Sequence, residues 1–197
     1  MIALIDNYDS FTFNLYHYIA KREKVIVFKN DQIFQNINKI IDSKAVVISP
    51  GPSNPFNAGD CLKLVNKIYS FIPILGVCLG HQILGVYFGS KISTLKKPYH
   101  GKISNIKKDN KCKLFENIPT NFMATRYHSL YLEQKNFPSN LIVTGKSTED
   151  NIIMSFKHEL YSIYGIQYHP ESIDTQYGET IINNFIDLIW VLVFLIK

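Results

Sequence analysis

Ile74-Leu75-Gly76-Val77-Cys78-Leu79-Gly80-His81-Gln82 is the stretch on which the reading of the fold turns. It opens as a short apolar run, suited to a buried strand, and passes at Cys78 into a segment that reads as a helix from about Leu79. Gly-x-nucleophile-x-Gly is the spacing of a nucleophile elbow, a sharp strand-to-helix turn. The two glycines are expected to let the backbone turn sharply and a substrate approach. A strand that feeds a helix in this way belongs to an α/β architecture, and the neighbouring sequence repeats the alternation.

Upstream, the apolar runs Ile2–Ile5, Val25–Phe28 and Ala45–Ile48 are each followed by a segment of helical period. The first helix is expected from about Ser10 to Arg22, with Asp9 or Ser10 as its N-cap. Ile33, Ile37, Ile40 and Ile41 mark one face of a second, and Leu62, Val65, Ile68, Tyr69 and Ile72 stripe a third. Ser49-Pro50-Gly51-Pro52 breaks the chain after the third run. Near-continuous apolar strands alternating with helices predict a parallel sheet covered on both faces. From Lys91 to Ser155 the segments become shorter and more alternating, as in Leu141-Ile142-Val143-Thr144, and predict antiparallel additions. Tyr161–Tyr168 reads as one more strand. Gly178 to about Leu188 reads as a closing helix, with Ile181, Ile182, Phe185 and Ile189 on one side. With no repeat, linker or low-complexity segment, residues 1–197 are expected to form a single domain.

Bulk properties narrow the function. A length of 197 residues, 46% apolar and 19% charged, suits one globular core. Lys and Arg exceed Asp and Glu by only five, 21 against 16. The densest basic run, Lys107, Lys108, Lys111 and Lys113, is interrupted by Asp109 and lacks the interleaved aromatics of a nucleic-acid platform. It is expected to be a solvated loop. Cys61, Cys78 and Cys112 are odd in number and unpaired in spacing, which argues for a reducing compartment; zinc-type spacing is absent. Ile2-Ala3-Leu4-Ile5-Asp6 reads as a strand at once, so no signal peptide is expected. The apolar run Trp190–Ile196, even extended back to Ile186, is too short to span a bilayer as a helix. It is expected to dock on the sheet or on a partner, and no membrane role follows.

The elbow would give Cys78 three things: presentation at the C-terminal edge of the sheet, a helix N-terminus that favours the thiolate, and the N–H of Leu79 aimed at a developing oxyanion. A nucleophilic cysteine needs a base and the base an orienting group. His169 is expected at the end of the strand Gly165-Ile166-Gln167-Tyr168, and Glu171, two residues on, would share its side in extended chain. Ser49-Pro50-Gly51-Pro52-Ser53 would offer a backbone N–H to an oxyanion or an amide. Each piece alone also admits a plain reading: a small buried cysteine, a strand-end histidine with an incidental glutamate, an ordinary turn. Together each supplies what the others lack. Cys61 reads as packing, Cys112 as incidental in a polar loop, His128 as a structural or substrate-loop residue and His81 as an orienting group. The Asp6–Thr12 loop would cap a helix and line the site or a partner interface.

The set Ile5-Asp6-Asn7-Tyr8-Asp9-Ser10-Phe11-Thr12, Ser49-Pro50-Gly51-Pro52, Gly76–Gln82, His100-Gly101-Lys102, Arg126-Tyr127-His128-Ser129-Leu130 and His169-Pro170-Glu171-Ser172 resembles the class I (triad) glutamine amidotransferases, over essentially the whole chain. Its opening and its Arg-Tyr-His-Ser-Leu resemble the branch that serves anthranilate and aminodeoxychorismate synthases, rather than purine, pyrimidine or histidine synthesis. The resemblance implies an open, flavodoxin-like sheet. It implies Cys78 as nucleophile, His169 as base and then acid, and Glu171 as orienting partner. Glutamine would lie against Gly51, Pro52, Ser53, Gln82, Ser129 and Leu130, with the N–H groups of Gly51 and Leu79 as oxyanion hole. Two departures stand out: Ser53, where many relatives carry glycine, and the apolar tail after Trp190. The resemblance further implies no cofactor in this chain and a chorismate-binding, Mg²⁺-using synthase chain as partner. The sequence as it stands is expected to leave no room for a second catalytic domain, so the ammonia would be used by another polypeptide. The compartment expected is the cytoplasm, or a plastid stroma for an organellar gene. Service to anthranilate synthesis, to 4-amino-4-deoxychorismate synthesis or to both stays open. So do a stand-alone γ-glutamyl hydrolase and a flavodoxin-like binding module with an idle triad.

Overall fold

The structure, a computed structural model, describes residues 1–109 and 111–195, with side chains up to Trp190. Five parallel strands form one half of a nine-stranded sheet: β1 (Ile2–Asp6), β2 (Val25–Lys29), β3 (Ala45–Ile48), β4 (Ile74–Val77) and β11 (Ile163–Ile166), in the order β2-β1-β3-β4-β11. The other half is antiparallel. It continues from β11 through β10 (Ile153–His158), β9 (Leu141–Ser147), β6 (Lys102–Lys108) and β7 (Asn121–Arg126). A separate ribbon pairs β5 (Ile92–Thr94) with β8 (Leu130–Leu132).

The parallel strands are almost wholly apolar, save Asp6 and Lys29 at the ends of β1 and β2, because the sheet is covered on both faces. Ile2, Leu4, Val47, Leu75 and Val77 point to one side, where they meet Leu15 and Ile19 of α1 (Thr12–Ala20) and Ile181, Ile182 and Phe185 of α5 (Gly178–Leu195). Ala3, Ile5, Val46, Ile48 and Ile74 point to the other, against Leu64, Val65 and Ile68 of α3 (Cys61–Ile68) and Ile83 and Leu84 of α4 (Leu79–Tyr87). Burying each such side chain contributes about 1.5–3 kcal/mol, so the alternation along each strand fixes register and face together.

That register sets the C-terminal ends of the strands in a row. Ile5 pairs with Ile48, Ile48 with Gly76, and Val77 with Ile166. The residues just beyond the strands are tied across it: Ser49 N–H donates to Ile5 O at 3.0 Å and Cys78 N–H to Ile166 O at 2.8 Å. Asn7, Ser49, Cys78 and Gln167 therefore come to one sheet edge.

Several elements differ from the sequence expectation. The first helix begins at Thr12, and neither Asp9 nor Ser10 caps it: Phe11 holds the cap position without a side-chain bond. The Asp9 carboxylate instead closes a turn on Phe11 N–H at 2.8 Å. The second helix is a 3₁₀ turn, Phe34–Asn36, followed by α2 (Ile37–Ile41). The last strand is only Ile163–Ile166. The basic run is not a solvated loop throughout, since Lys107 and Lys108 end β6 and Lys108 is buried. Cys112 is not incidental: it is buried in the core beside Leu114 and Phe115. Helix α5 runs 18 residues, and the Trp190 ring lies 3.8 Å from Lys44 Nζ; where the apolar side chains after Trp190 dock lies outside the described residues. No helix among the described residues is long and apolar enough to cross a membrane.

Candidate active site

Cys78 joins β4 to α4 with φ 52° and ψ −98°, a left-handed conformation at a residue that carries a Cβ. The flanking glycines serve close packing instead. A Cβ on Gly80 would sit 2.3 Å from Ile48 O, and one on Gly76 would sit 2.4 Å from the Gly80 carbonyl. The helix start thus lies directly on β3 and β4, and the strain of the turn falls on the cysteine.

His169 follows β11 and is buried, its backbone held by Thr125 O at 3.0 Å and by Thr175 Oγ1, which donates to His169 O at 2.7 Å. Its Nδ1 lies 2.7 Å from Glu171 Oε1, itself buried. The two meet through a turn, with Ser172 N–H on His169 O at 3.2 Å, rather than along extended chain. The imidazole packs against the rings of Phe11 and Tyr127, at 5.3 and 5.0 Å between centroids. Its Nε2 meets no nitrogen or oxygen among the described residues, and the Cys78 side chain lies within hydrogen-bonding reach of the ring. Burial alone would lower the pKa of His169, but the negative charges of Cys78 and Glu171 outweigh it and hold His169 well above the ordinary histidine value.

A cavity of about 170 Å³ opens on Cys78, lined by Gly51, Pro52, Ser53, Leu79, Gln82, Tyr127, His128, Ser129 and Leu130. The structure brings every sequence-predicted contact residue into this one wall. The N–H groups of Gly51 and Leu79 take no acceptor among the described residues. Gly51 has no room for a side chain, because a Cβ would meet Asn7 Cβ at 2.5 Å. Asn7 in turn pins the loop, donating from N to Ser49 Oγ at 3.0 Å and from Nδ2 to Ser49 O at 2.9 Å. Ser53, the departure from glycine, adopts φ 71°. A larger surface groove, about 820 Å³ along β5 and β8, is lined by Ser93, Lys96, Lys97, Tyr99 and Asp150, with no cysteine or histidine on its wall.

Two further histidines are buried, His128 on the cavity wall and His81 within α4. Burial pushes His81 down to about 3, against a smaller opposing effect of the Gly165 backbone; its ring lies against Phe156. His128 is likewise pushed down to about 3, by burial and then by Arg126. It accepts from Arg126 Nε at 3.0 Å and meets Leu130 O through Nδ1 at 2.9 Å. Cys61 donates to Asn7 Oδ1 at 3.3 Å, its thiol pushed up to about 12 by burial and by Asp60. Sequence reasoning missed Phe11, Tyr127 and Gln167. The first two lay inside quoted motifs, but nothing in their spacing showed that they clasp the imidazole.

A strained cysteine elbow on a doubly covered parallel sheet, beside a buried histidine–carboxylate pair, has the parts that a thiol nucleophile needs. Residues 3–188 match the family described as "Glutamine amidotransferase class-I", and the chain belongs to that family. Within it, the chain is 45% identical to anthranilate synthase component 2 of Porphyra purpurea, covering 95% of this chain and 99% of that protein. It is 40% identical to the aminodeoxychorismate/anthranilate synthase component 2 of Bacillus subtilis, over 95% of this chain and 96% of that protein. In fold it is similar to the crystal structure of a protein from Thermoplasma acidophilum described as a putative GMP synthase component, with a TM-score of 0.86, 23% identity, and 98% and 96% of the two chains covered.

Proposed function

We propose that this chain is a glutaminase subunit that releases ammonia from L-glutamine through a Cys78 thioester and delivers it to a chorismate-using synthase that makes anthranilate. The observation that carries the reading is the buried His169–Glu171 contact of 2.7 Å beside a cysteine strained at a helix start. The amide group of glutamine enters the cavity between the 51–53 and 129–130 loops. The Cys78 thiolate attacks the amide carbon, and the oxygen takes up negative charge against the N–H groups of Gly51 and Leu79. Each such donor is worth about 2.7–4 kcal/mol in a comparable hydrolase. His169, whose raised pKa keeps it protonated, gives its Nε2 proton to the leaving nitrogen, and ammonia departs as the C–N bond breaks. His169, now neutral, takes a proton from water as the water attacks the thioester. The C–S bond breaks, leaving glutamate, the thiolate and a protonated His169. Glu171 holds the Nδ1 proton throughout and stabilises the imidazolium.

The names of the relatives support the synthase partner, and the Bacillus relative, named for both products, favours a second reading in which one such chain serves both synthases. The test is to co-purify the chain with a chorismate-using synthase, then supply chorismate and glutamine. Anthranilate should form, and Cys78→Ala should stop glutamine-dependent but not ammonia-dependent synthesis. Aminodeoxychorismate alone would move the assignment to the folate branch. Strong glutaminase activity that no synthase partner changes would sink the delivery role.

A further inference from the structure

Gln167 is fully buried between the last parallel strand and the elbow, and the mechanism above does not use it. Its backbone is fixed, with N–H on Met154 O at 2.8 Å. Its side-chain Nε2 lies 3.7 Å from Cys78 Sγ, and its Oε1 accepts from Gln82 Nε2 at 3.1 Å. Gln82 Nε2 also donates to Leu130 O at 2.9 Å. An amide side chain could be placed either way round, so its polarity must come from its partners.

Here the partners settle it. The Leu130 carbonyl can only accept, so Gln82 must present its NH₂ group there. The second N–H of that group needs an acceptor, so Gln167 must present Oε1 to Gln82. That leaves the NH₂ group of Gln167 facing the sulfur. The carbonyl is itself held: Arg126 Nε can only donate, so His128 Nε2 accepts and its Nδ1–H donates to Leu130 O. A backbone carbonyl on the wall of the glutamine cavity thus sets the polarity of a donor two side chains away at the nucleophile.

We propose that Gln167 is a positioning residue for Cys78, holding the sulfur by an N–H···S hydrogen bond whose direction Leu130 O imposes through Gln82. A donor suits a thiolate, whereas a flipped amide would set a carbonyl oxygen against it. The sulfur is thereby kept in one rotamer on the wall of the cavity. The role rests on Cys78 being the nucleophile.

The experiment uses the whole chain and a glutamine analogue bearing an alkylating group in place of the amide. In Gln167→Met, which keeps shape but removes the donor, the maximal labelling rate of Cys78 should fall about tenfold, the loss of one charge-assisted hydrogen bond. The same change frees one N–H of Gln82, which lines the cavity, so any loss through Gln82 shows as a rise in the analogue's half-saturating concentration, separate from the fall in maximal rate. In the native ¹⁵N-labelled protein, the Nε2 proton of Gln167 that faces the sulfur should shift clearly in Cys78→Ala, while the other proton of the same amide moves little. That reading needs no Gln167 variant and decides the matter even where Gln167→Met does not fold. Unchanged labelling in Gln167→Met, or Gln167 amide protons that do not shift in Cys78→Ala, would overturn the role of Gln167 alone. Labelling that persists in Cys78→Ala would overturn the nucleophile assignment instead.

Discussion

At φ 52° and ψ −98°, Cys78 occupies backbone space that side-chain-bearing residues rarely adopt, at a cost of about 1–3 kcal/mol. Glycine at this position would relieve that strain, whereas alanine would keep it. Cys78→Gly should therefore be more stable than Cys78→Ala by about 1 kcal/mol in urea unfolding, with both inactive. Equal stabilities would show that the turn stores no strain. The identity of this residue was legible because Gly-x-Cys-x-Gly after an apolar run is a local pattern. The His169–Glu171 pair was legible through a spacing of two, although the geometry that joins them is a turn. Gln167 was not legible as a partner of Cys78. It sits 89 positions away, and only the pairing of β11 with β4 brings it to the sulfur. Phe11 was hidden for the same kind of reason: it faces His169 across the sheet edge.

Helix α4 is seated by two absent side chains. A Cβ on Gly80 would press into the Ile48 carbonyl at 2.3 Å, and neither partner is a flexible side-chain end that could swing aside. Gly80→Ala must lift the helix from β3 and carry Leu79 N–H away from the cavity. The overpacking should cost about 1–3 kcal/mol, and a shift approaching 1 Å at the elbow should cost about a hundredfold in glutaminase kcat. Wild-type kcat in Gly80→Ala would refute this seating. At this scale the parallel half of the sheet was readable, since strands buried on both faces show as unbroken apolar runs. The antiparallel half was readable only in kind, because register there depends on partners distant in sequence and shifts around Ser155. Helix starts were the least readable. Asp9 has the chemistry of a cap but spends its carboxylate on Phe11 N–H. Asp6 draws the same loop inward, accepting from Tyr8 N–H at 2.8 Å and Thr12 Oγ1 at 2.9 Å.

Across the whole molecule, the buried titratable groups make stability depend on pH from two sides. His81 and His128 sit near 3 in the fold against 6.5 for an ordinary histidine. Depressed in the native state, they contribute stability that is complete above pH 6.5 and lost as pH falls toward 3, because unfolding then takes up two protons that the fold refuses. Each adds up to one proton to that uptake, so the two together should double the slope that either would give alone. Asp6 and Asp150 add to the loss below about pH 4. Burial pushes both carboxyls up, but Lys29 and Thr12 at Asp6, and Arg126 and Ser147 at Asp150, more than offset it and hold them below the usual range. His169 acts in the opposite sense. Raised in the fold, its contribution is complete below pH 6.5 and is lost as pH climbs through its native value. Stability should therefore peak near pH 6.5, with the steeper limb on the acid side. Urea unfolding from pH 4 to 9 measures the profile. His128→Gln keeps an acceptor for Arg126 and a donor for Leu130 O but cannot titrate, so it should halve the slope between about pH 4 and 6. An unchanged slope would mean that His128 is already protonated in the native protein, and the polarity it lends to the Leu130 carbonyl would fall with it.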